Sequence, residues 1–358
     1  MKETEQYRAL PAKVSSTVLL MVQKNFKSYF KALASFYKNK ERFKGRPAMP
    51  KYLDTVDGRF FASYTNQAIS QKIFRKSGMV KFSGISLEVK TKLTEFEQID
   101  CARIIPKDGY YVVEVVHSEN CEDKLEDNER YLGIDLGVNN FATITSNAKG
   151  ITPFIINGRP LKSMNQFYNK QMAHYTSILE KTNGKKTSRK TKKLNLKRKN
   201  KIENYMHKAS KKIVSFCIEN NINSIVVGQN IGWKQDVNTG RQNNQAFVNI
   251  PHSRFIEMLS YKCELKGISF TANEESYTSK ASFLNLDPIP TYVKGENKGY
   301  EFSGYRKHRG LYKIKGQNKT INADVNGSYN ILRKAFPTAF TANGIEDVGV
   351  RPKMVNLS

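Results

Sequence analysis

Residues 131–146 read YLGIDLGVNNFATITS, a stretch that predicts a strand, a tight turn and a returning strand. Apolar residues alternate with small or polar ones, and residues 137–140 supply the turn. Asp135 falls in the middle of the first strand, where a carboxylate is normally depleted. Departures from such local rules concentrate at functional sites. From this stretch alone, Asp135 is equally well interpreted as a functional-site acid or as a turn acid that caps the bend at Gly137. The rest of the chain has to distinguish the two roles.

The composition indicates a globular protein with a polyanionic partner. The chain has 358 residues, 39% of them hydrophobic, which is enough for two or three domains. It carries 59 Lys and Arg against 32 acids, a net charge of +27. Such an excess implies a polyanionic partner, and the alternatives are a ribosome-associated or a membrane-surface protein. No apolar run is long enough to span a membrane, and the N-terminal MKETEQYRAL is too polar for a signal peptide. We therefore expect a cytoplasmic, prokaryotic protein that associates with the nucleoid.

The first part of the chain predicts a helical segment followed by short strands. Residues 8–43 repeat apolar side chains at helical spacing beside a lysine-rich face, so we assign residues 1–52 to a helical recognition segment. Residues 53–118 switch to a period of two with about five short strands, which suggests a small Greek-key β-barrel. Residues 119–130 are acidic and polar and are expected to form a linker.

A long basic segment follows the opening strands. Residues 185–212 contain thirteen Lys or Arg and a single acid, on a helix whose other face is apolar. A solvated face is the alternative, but the number of cations favours a track for nucleic acid. Trp233 could stack on a base, although a lone tryptophan is more often a packing residue. The nucleic-acid contacts expected in this region are Lys185, Lys186, Arg189, Lys190, Lys192, Lys193, Lys197, Arg198, Lys199, Lys201, Lys208, Lys211, Lys212, Trp233 and Lys234.

The order of the remaining elements predicts a mixed α/β (α+β) nuclease-like domain. Residues 131–275 read β-β-β-α-α-β-α-β, residues 276–320 form a basic loop-rich insert, and residues 321–336 supply a last helix before a tail at 337–358. Three antiparallel strands followed by helix-linked parallel strands are the order of an RNase H-like (RuvC-like) sheet.

Three acids fall where that topology can bring them together. Asp135 lies on the first strand, Glu275 follows a late strand, and Asp324 opens the last helix. Glu275 alone could be a solvated strand-end acid, and Asp324 alone a helix N-terminal acid stabilised by the dipole. Three carboxylates held together are costly unless divalent cations lie between them. Oxygen ligands suit Mg²⁺ or Mn²⁺, and two such ions can activate water at a phosphate. The sequence therefore predicts a two-ion site of Asp135, Glu275 and Asp324.

The chain contains the motifs IVVGQNIGWKQ, NNQAFVNIPHSRFIEMLSYKCELKGI, EESYTSKASF, FSGYRKHRGLY and INADVNGSYNILRK. Together these motifs resemble the TnpB family of transposon-encoded RNA-guided DNA nucleases, which are related to type V CRISPR effectors. The resemblance covers roughly residues 7–335. It implies a barrel with a helical recognition insert and a split RuvC-like nuclease domain. The implied activity is Mg²⁺-dependent cleavage of double-stranded DNA, directed by a guide RNA from the transposon end, beside a short motif that the protein reads.

The chain departs from the family pattern at the second acid. The usual glutamate position is occupied by Gly228, and a subset of the family uses a glutamate some tens of residues later. Glu275 is our choice because it is closer to the motif YTSK, which it is expected to flank, and Glu274 is the alternative.

A second departure from the family pattern concerns zinc. Many relatives bind zinc through CxxC pairs, but residues 281–320 contain no cysteine. We therefore expect no zinc, with the nucleic-acid role of this insert resting on Arg306, Lys307 and Arg309. Cys101, Cys121, Cys217 and Cys263 are far apart and are expected to be free thiols.

A third departure is at the start of the chain, which resembles a truncated form of the family. Two alternatives to the nuclease function therefore stay open. One is an RNA-guided DNA-binding repressor that does not cut, and the other is an inactive remnant that binds RNA.

Overall fold

The computed structural model describes residues 3–53, 58–184, 187–229, 250–292, 299–308, 310–340 and 349–357. The chain divides into two compact units, residues 1–119 and residues 120–358. Within the described ranges, no helix combines the length and the apolar character needed to cross a membrane.

The first unit combines one long helix with two small antiparallel sheets. Strand β4 lies between β1 and β5 in one sheet, and β2 pairs with β3 in the other. The named strands of the described residues thus fall in two sheets, and an isolated antiparallel bridge pairs Ile69 with Phe82. The single Greek-key barrel that the sequence predicted therefore stays a prediction. The bounds are α1 (Glu5–Arg8), α2 (Ala12–Lys38), β1 (Ala62–Thr65), α3 (Gln71–Ser77), β2 (Met79–Lys81), β3 (Glu88–Lys90), β4 (Ile99–Lys107) and β5 (Tyr110–His117).

One apolar cluster joins the elements of this unit. It contains Tyr64 of β1, Phe74 of α3, Val80 of β2 and Ile99 of β4. Helix α2 contributes Val14 at its first turn, and its residues beyond Ser15 are partly or fully exposed. The predicted lysine-rich helix is therefore present, and it is anchored to the core at its N-terminal end.

The second unit is built on a six-stranded mixed sheet in the order β10-β9-β6-β7-β8-β14. Strands β6, β7 and β8 are antiparallel neighbours, while β9 and β10 run parallel to β6. Three antiparallel strands followed by helix-linked parallel strands is the order that the sequence predicted. The bounds are β6 (Tyr131–Leu136), β7 (Asn140–Ser146), β8 (Phe154–Asn157), α4 (Arg159–Asn183), α5 (Arg189–Glu219), β9 (Ser224–Gly228), α6 (His252–Glu264), β10 (Ser269–Asn273), β11 (Gly304–His308), β12 (Leu311–Ile314), β13 (Thr320–Asn322), α7 (Ala323–Ala335) and β14 (Lys353–Val355).

Helices cover both faces of this sheet. On one face, α5 and α6 pack against the apolar side chains of β6, β7 and β9, and α4 packs on α5. On the other face, α7 packs over β6, β7 and β9 with Val325, Tyr329 and Leu332 in its core. A capping box of Ser188 and Thr191 begins α5, which explains why the helix starts there despite its many neighbouring cations. Burial on both faces matches the continuous apolar pattern of β9.

Two segments are more ordered than the sequence predicted. The insert was expected to be loop-rich, but β11, β12 and β13 form a three-stranded antiparallel sheet in which Tyr312 and Ile314 are buried. The segment expected to be a tail adds β14 in parallel to β8, with Met354 aligned with Ile155. Both segments contain strands of three to five residues, too short for a period of two to be recognised.

Candidate active site

The carboxyl ends of three neighbouring strands bring Asp135 and Glu275 to the same edge of the sheet. Asp135 is the fifth residue of β6, and β9, the parallel neighbour of β6, ends at Gly228. Strand β10 ends at Asn273, directly opposite Gly228, and the chain continues into Glu274 and Glu275. Because parallel strands present their carboxyl ends on the same side, these residues meet although 140 residues separate Asp135 from Glu275 (275 − 135).

Helix α7 brings the third acid to this edge. The side chain of Asn322 accepts hydrogen bonds from the backbone N–H groups of Asp324 (3.0 Å) and Val325 (3.1 Å), so the helix begins just before Asp324. One turn later, the Ser328 hydroxyl bonds to Gly133 O at 2.9 Å and Thr143 O at 3.0 Å, which holds the helix over β6 and β7.

An open cleft of about 690 Å³ lies between these elements, and all three acids line it. Burial raises the pKa of Asp135 well above its ordinary value, and the charges of Glu275 and Asp324 raise it further, while Arg306 acts in the opposite direction. Burial and the charge of Glu274 raise the pKa of Glu275 to about 7, against the opposing effect of Lys334. In the absence of a bound cation, the charged forms of Asp135 and Glu275 are therefore disfavoured in this cleft.

The two adjacent glutamates have different surroundings. Glu274 forms an ion pair with Lys334 and accepts a hydrogen bond from Ser276 N at 2.6 Å. Glu275 lines the cleft, and its Oε2 lies against Gly228, where a Cβ atom would collide with it. Glu275 therefore faces the cleft, whereas Glu274, the alternative ligand, faces Lys334.

Lys334 was not expected from the sequence, yet it holds the segment that carries Glu275. Its side chain is 10% exposed, and besides Glu274 its ammonium donates to Ser276 O and Pro290 O, both at 3.2 Å. An ammonium group has three protons to donate, and here all three have acceptors. The two residues of this ion pair are 60 positions apart, so no local pattern reveals it.

We expect Lys334→Met to lower the free energy of unfolding by about 2 kcal/mol, because it leaves Glu274 and two carbonyls without their donor. This is less than for a fully buried ion pair, because Glu274 is partly exposed and solvent screens its charge. Urea denaturation of the metal-free protein measures this. Arg254→Met is the matched control, since the pair of Arg254 with Glu257 is exposed on both sides and should change stability by less than about 0.5 kcal/mol. Equal losses in the two variants would contradict the assignment of Lys334.

Asp324 is held by two donors. Arg306, on β11, forms an ion pair with Oδ1 at 2.7 Å, and Asn140 donates to Oδ2 at 2.6 Å. Lys307, the next residue of β11, is exposed. Arg306 was predicted as a nucleic-acid contact, and the structure places it in the cleft wall beside the acids.

The predicted basic track lies mainly on α5. Its cations are exposed except for Lys192 and Arg198, which are partly buried. The Arg198 guanidinium donates to Asn165 at 2.7 Å and lies 4.8 Å from the centre of the Tyr168 ring, so it also joins α5 to α4. The predicted contacts Lys185, Lys186, Trp233, Lys234 and Arg309 lie outside the described residues.

The donor chemistry of the cleft fits a hard divalent cation. All three candidate ligands are carboxylates. Burial first, and neighbouring acids second, raise the pKa values of Asp135 and Glu275, and a bound cation would favour their ionised forms. As the side chains are placed in the described part of the chain, no three His, Cys, Asp or Glu residues are close enough to share one ion. Arg306 is the cation that contacts Asp324.

Sequence reasoning missed three polar residues of this site, namely Asn140, Arg159 and Lys334. Asn140 was interpreted only as a turn residue, and Arg159, which lines the cleft, was not singled out. Asn140 contacts Asp324 across 184 positions and Lys334 contacts Glu274 across 60, so no local pattern indicates either contact.

Two family models match the chain. Residues 110–234 match OrfB_IS605, described as a probable transposase, and residues 252–331 match the Cas12f1-like TNB domain. No curated protein matches the chain.

Solved structures of larger proteins are also similar. The chain is 15% identical to the protein of a Cas12f1–sgRNA–target DNA complex, with 89% of this chain and 71% of that chain covered and a TM-score of 0.49. The chain is 14% identical to the protein of a CRISPR-Cas12f ternary complex, with 90% of this chain and 70% of that chain covered and a TM-score of 0.38. It is 14% identical to Alicyclobacillus acidoterrestris C2c1 in complex with single-guide RNA, with 48% of this chain and 19% of that chain covered and a TM-score of 0.32.

Proposed function

We propose that this chain is an RNA-guided, Mg²⁺-dependent DNA endonuclease of the TnpB type, a proposal supported by the matches to the OrfB_IS605 and Cas12f1-like TNB models. Its substrate would be double-stranded DNA beside a short motif read by the protein, and its guide an RNA from the transposon end. The RuvC-like nuclease domain would comprise residues 131–275 and 321–336, with residues 276–320 contacting the target.

One observation carries this proposal: Asp135, Glu275 and Asp324 line a single open cleft in a chain of net charge +27. Three ionised carboxylates would repel nucleic acid, so their grouping in a nucleic-acid-binding protein favours a site for cations. The exposed cations of α5 support the same proposal, because they supply the phosphate contacts that hold a guide–target duplex by its backbone.

The proposed chemistry assigns a separate task to each residue. Asp135, Glu275 and Asp324 would hold Mg²⁺ or Mn²⁺, which when bound activates water and stabilises the leaving oxygen of a phosphodiester. Asn140 keeps the Asp324 carboxylate oriented through Oδ2, and Arg306 offsets part of its charge through Oδ1. Lys334 and Glu274 fix the backbone on either side of Glu275, and Gly228 leaves room for its carboxylate. In this proposal Glu275 takes the place of the glutamate that relatives carry at the position of Gly228.

Co-expression of the protein with the RNA that flanks its gene, followed by incubation with a plasmid library containing the guide target beside randomised sequence, tests the proposal. We expect cuts that require Mg²⁺ and one short adjacent motif, and that EDTA abolishes. Plasmid that is bound but not cut would instead select the repressor. If no RNA co-purifies with the protein, both guided functions are wrong.

A further inference from the structure

Arg159 is a cation of the cleft wall that the ligand set does not explain. It is the first residue of α4, its side chain is exposed, and it lines the same cleft as Asp135, Glu275 and Asp324. The other arginine of the cleft, Arg306, is paired with Asp324. Among the described residues, Arg159 forms no ion pair with an acid.

The backbone at Arg159 is fixed in place. Its N–H donates to Asn157 Oδ1 at 3.0 Å, and Gly158 N donates to Asn139 O at 2.8 Å. A Cβ at Gly158 would collide with Val138 O, so this glycine lets the start of α4 pack directly on the turn that follows Asp135. Tyr205 in turn donates to Asn157 O. The base of the Arg159 side chain is thus held against the turn that carries Asn140, the residue that orients Asp324.

At this position the positive charge of Arg159 can offset the repulsion between a DNA strand and the acids of the cleft. A strand that enters the cleft brings a negative charge with every nucleotide towards three carboxylates, and divalent ions there offset only the charge they contact. A guanidinium matches the two oxygens of a phosphate with a planar pair of donors, and its charge does not depend on pH in the range where proteins are folded.

We propose that Arg159 binds a backbone phosphate of the DNA strand in this cleft, an assignment that rests on the nuclease function proposed above. It would act as a substrate-positioning residue, distinct from the candidate ligands and from the track on α5.

The test measures binding of a fluorescently labelled 20-nucleotide single-stranded DNA to the protein purified with its co-expressed RNA, at several monovalent salt concentrations. A fixed concentration of Ca²⁺ replaces Mg²⁺ so that a hard divalent cation remains available to the acids, and a denaturing gel checks that the DNA stays intact. For Arg159→Ala we expect binding about tenfold weaker at low salt. The slope of log K against log salt should become shallower by about 0.7, the value for one phosphate contact on a single strand. Arg159→Lys should keep the slope, because it keeps the charge.

Lys266→Ala is the matched control. Lys266 is an exposed cation that precedes β10, so it lies at the opposite edge of the sheet from Glu275, and it pairs with Glu122. An unchanged slope in Arg159→Ala, an equal change in Lys266→Ala, or a change seen with an RNA oligonucleotide but not with DNA would each overturn the inference. Cleavage by the wild type in Mg²⁺ is measured in parallel, and its absence would count against the nuclease function alone.

Discussion

Asp135→Asn should lower the rate of guided DNA cleavage by about 10³-fold while leaving the protein folded. The loss of one ligand from a divalent-ion site removes several kcal/mol of charge stabilisation from the transition state, and each 1.36 kcal/mol is a factor of ten. Because the pKa of Asp135 is raised well above its ordinary value, its ionised form is disfavoured in the folded protein. A group with a raised folded-state pKa stabilises the fold below its unfolded pKa, and that contribution is lost as the pH rises. At pH 7.5 without metal, the asparagine variant should therefore unfold at the same temperature as the wild type or higher, and the Mg²⁺-dependent rise in melting temperature should disappear.

Asp127→Asn is the matched control for this substitution. Asp127 has the opposite environment, because hydrogen bonds from Asn223, from the backbone of Glu129 and from Tyr131 lower its pKa. Its replacement should leave the cleavage rate within about twofold, since it lies outside the cleft, as expected for a surface change away from the site. Single-turnover cleavage and thermal unfolding, with and without Mg²⁺, measure both effects. Full cleavage by Asp135→Asn would remove the basis of the proposed site.

The main parts of the second unit could be predicted because they depend on local pattern and chain order. The alternation around Asp135 predicts β6, the continuous apolar run predicts β9 as a strand buried on both faces, and the asparagine cap marks the start of α7. Once three antiparallel strands and two helix-linked parallel strands are in order, the edge that Asp135 shares with Glu275 follows from topology alone.

The rest could not be predicted because it depends on contacts between distant residues. Lys334 acts on Glu274 across 60 positions and Asn140 on Asp324 across 184, and neither residue breaks a local rule. Residues 353–355 form a strand only because β8 offers an unpaired edge, so their own composition says little. In the first unit, the pattern predicts strands in the right region, but pairing is a long-range property, and five strands can close as one barrel or divide into two sheets.

Glu275→Ala should reduce cleavage about as strongly as Asp135→Asn, by about 10³-fold, and a glutamate at position 228 should restore part of it. The reason is geometric, since the Glu275 carboxylate lies against the Cα of Gly228, the place where a side chain from β9 would begin. Cleavage by Glu275→Ala, Gly228→Glu/Glu275→Ala and the wild type, each titrated with Mg²⁺, measures the rescue, which we expect to be at least about tenfold.

The design of the rescue has to include Ile331. A Cβ at position 228 would lie 2.6 Å from Ile331 Cδ1 and 3.1 Å from its Cγ1, so a new side chain there meets α7 as well as Glu275. Ile331→Val removes the nearer atom at a cost of about 0.5–1.5 kcal/mol and belongs in a second rescue variant. Gly228→Ala in the wild-type background, where it would displace Glu275 without supplying a carboxylate, should lower cleavage. Glu274→Gln is the control for the neighbouring acid. Its single amide oxygen can accept from only one of Lys334 and Ser276 N, but the side chain faces Lys334 and not the cleft, so cleavage should fall by less than about tenfold. If Glu274→Gln is instead as inactive as Glu275→Ala, or if position 228 gives no rescue in either background, then Glu275 does not supply the carboxylate that this strand lacks.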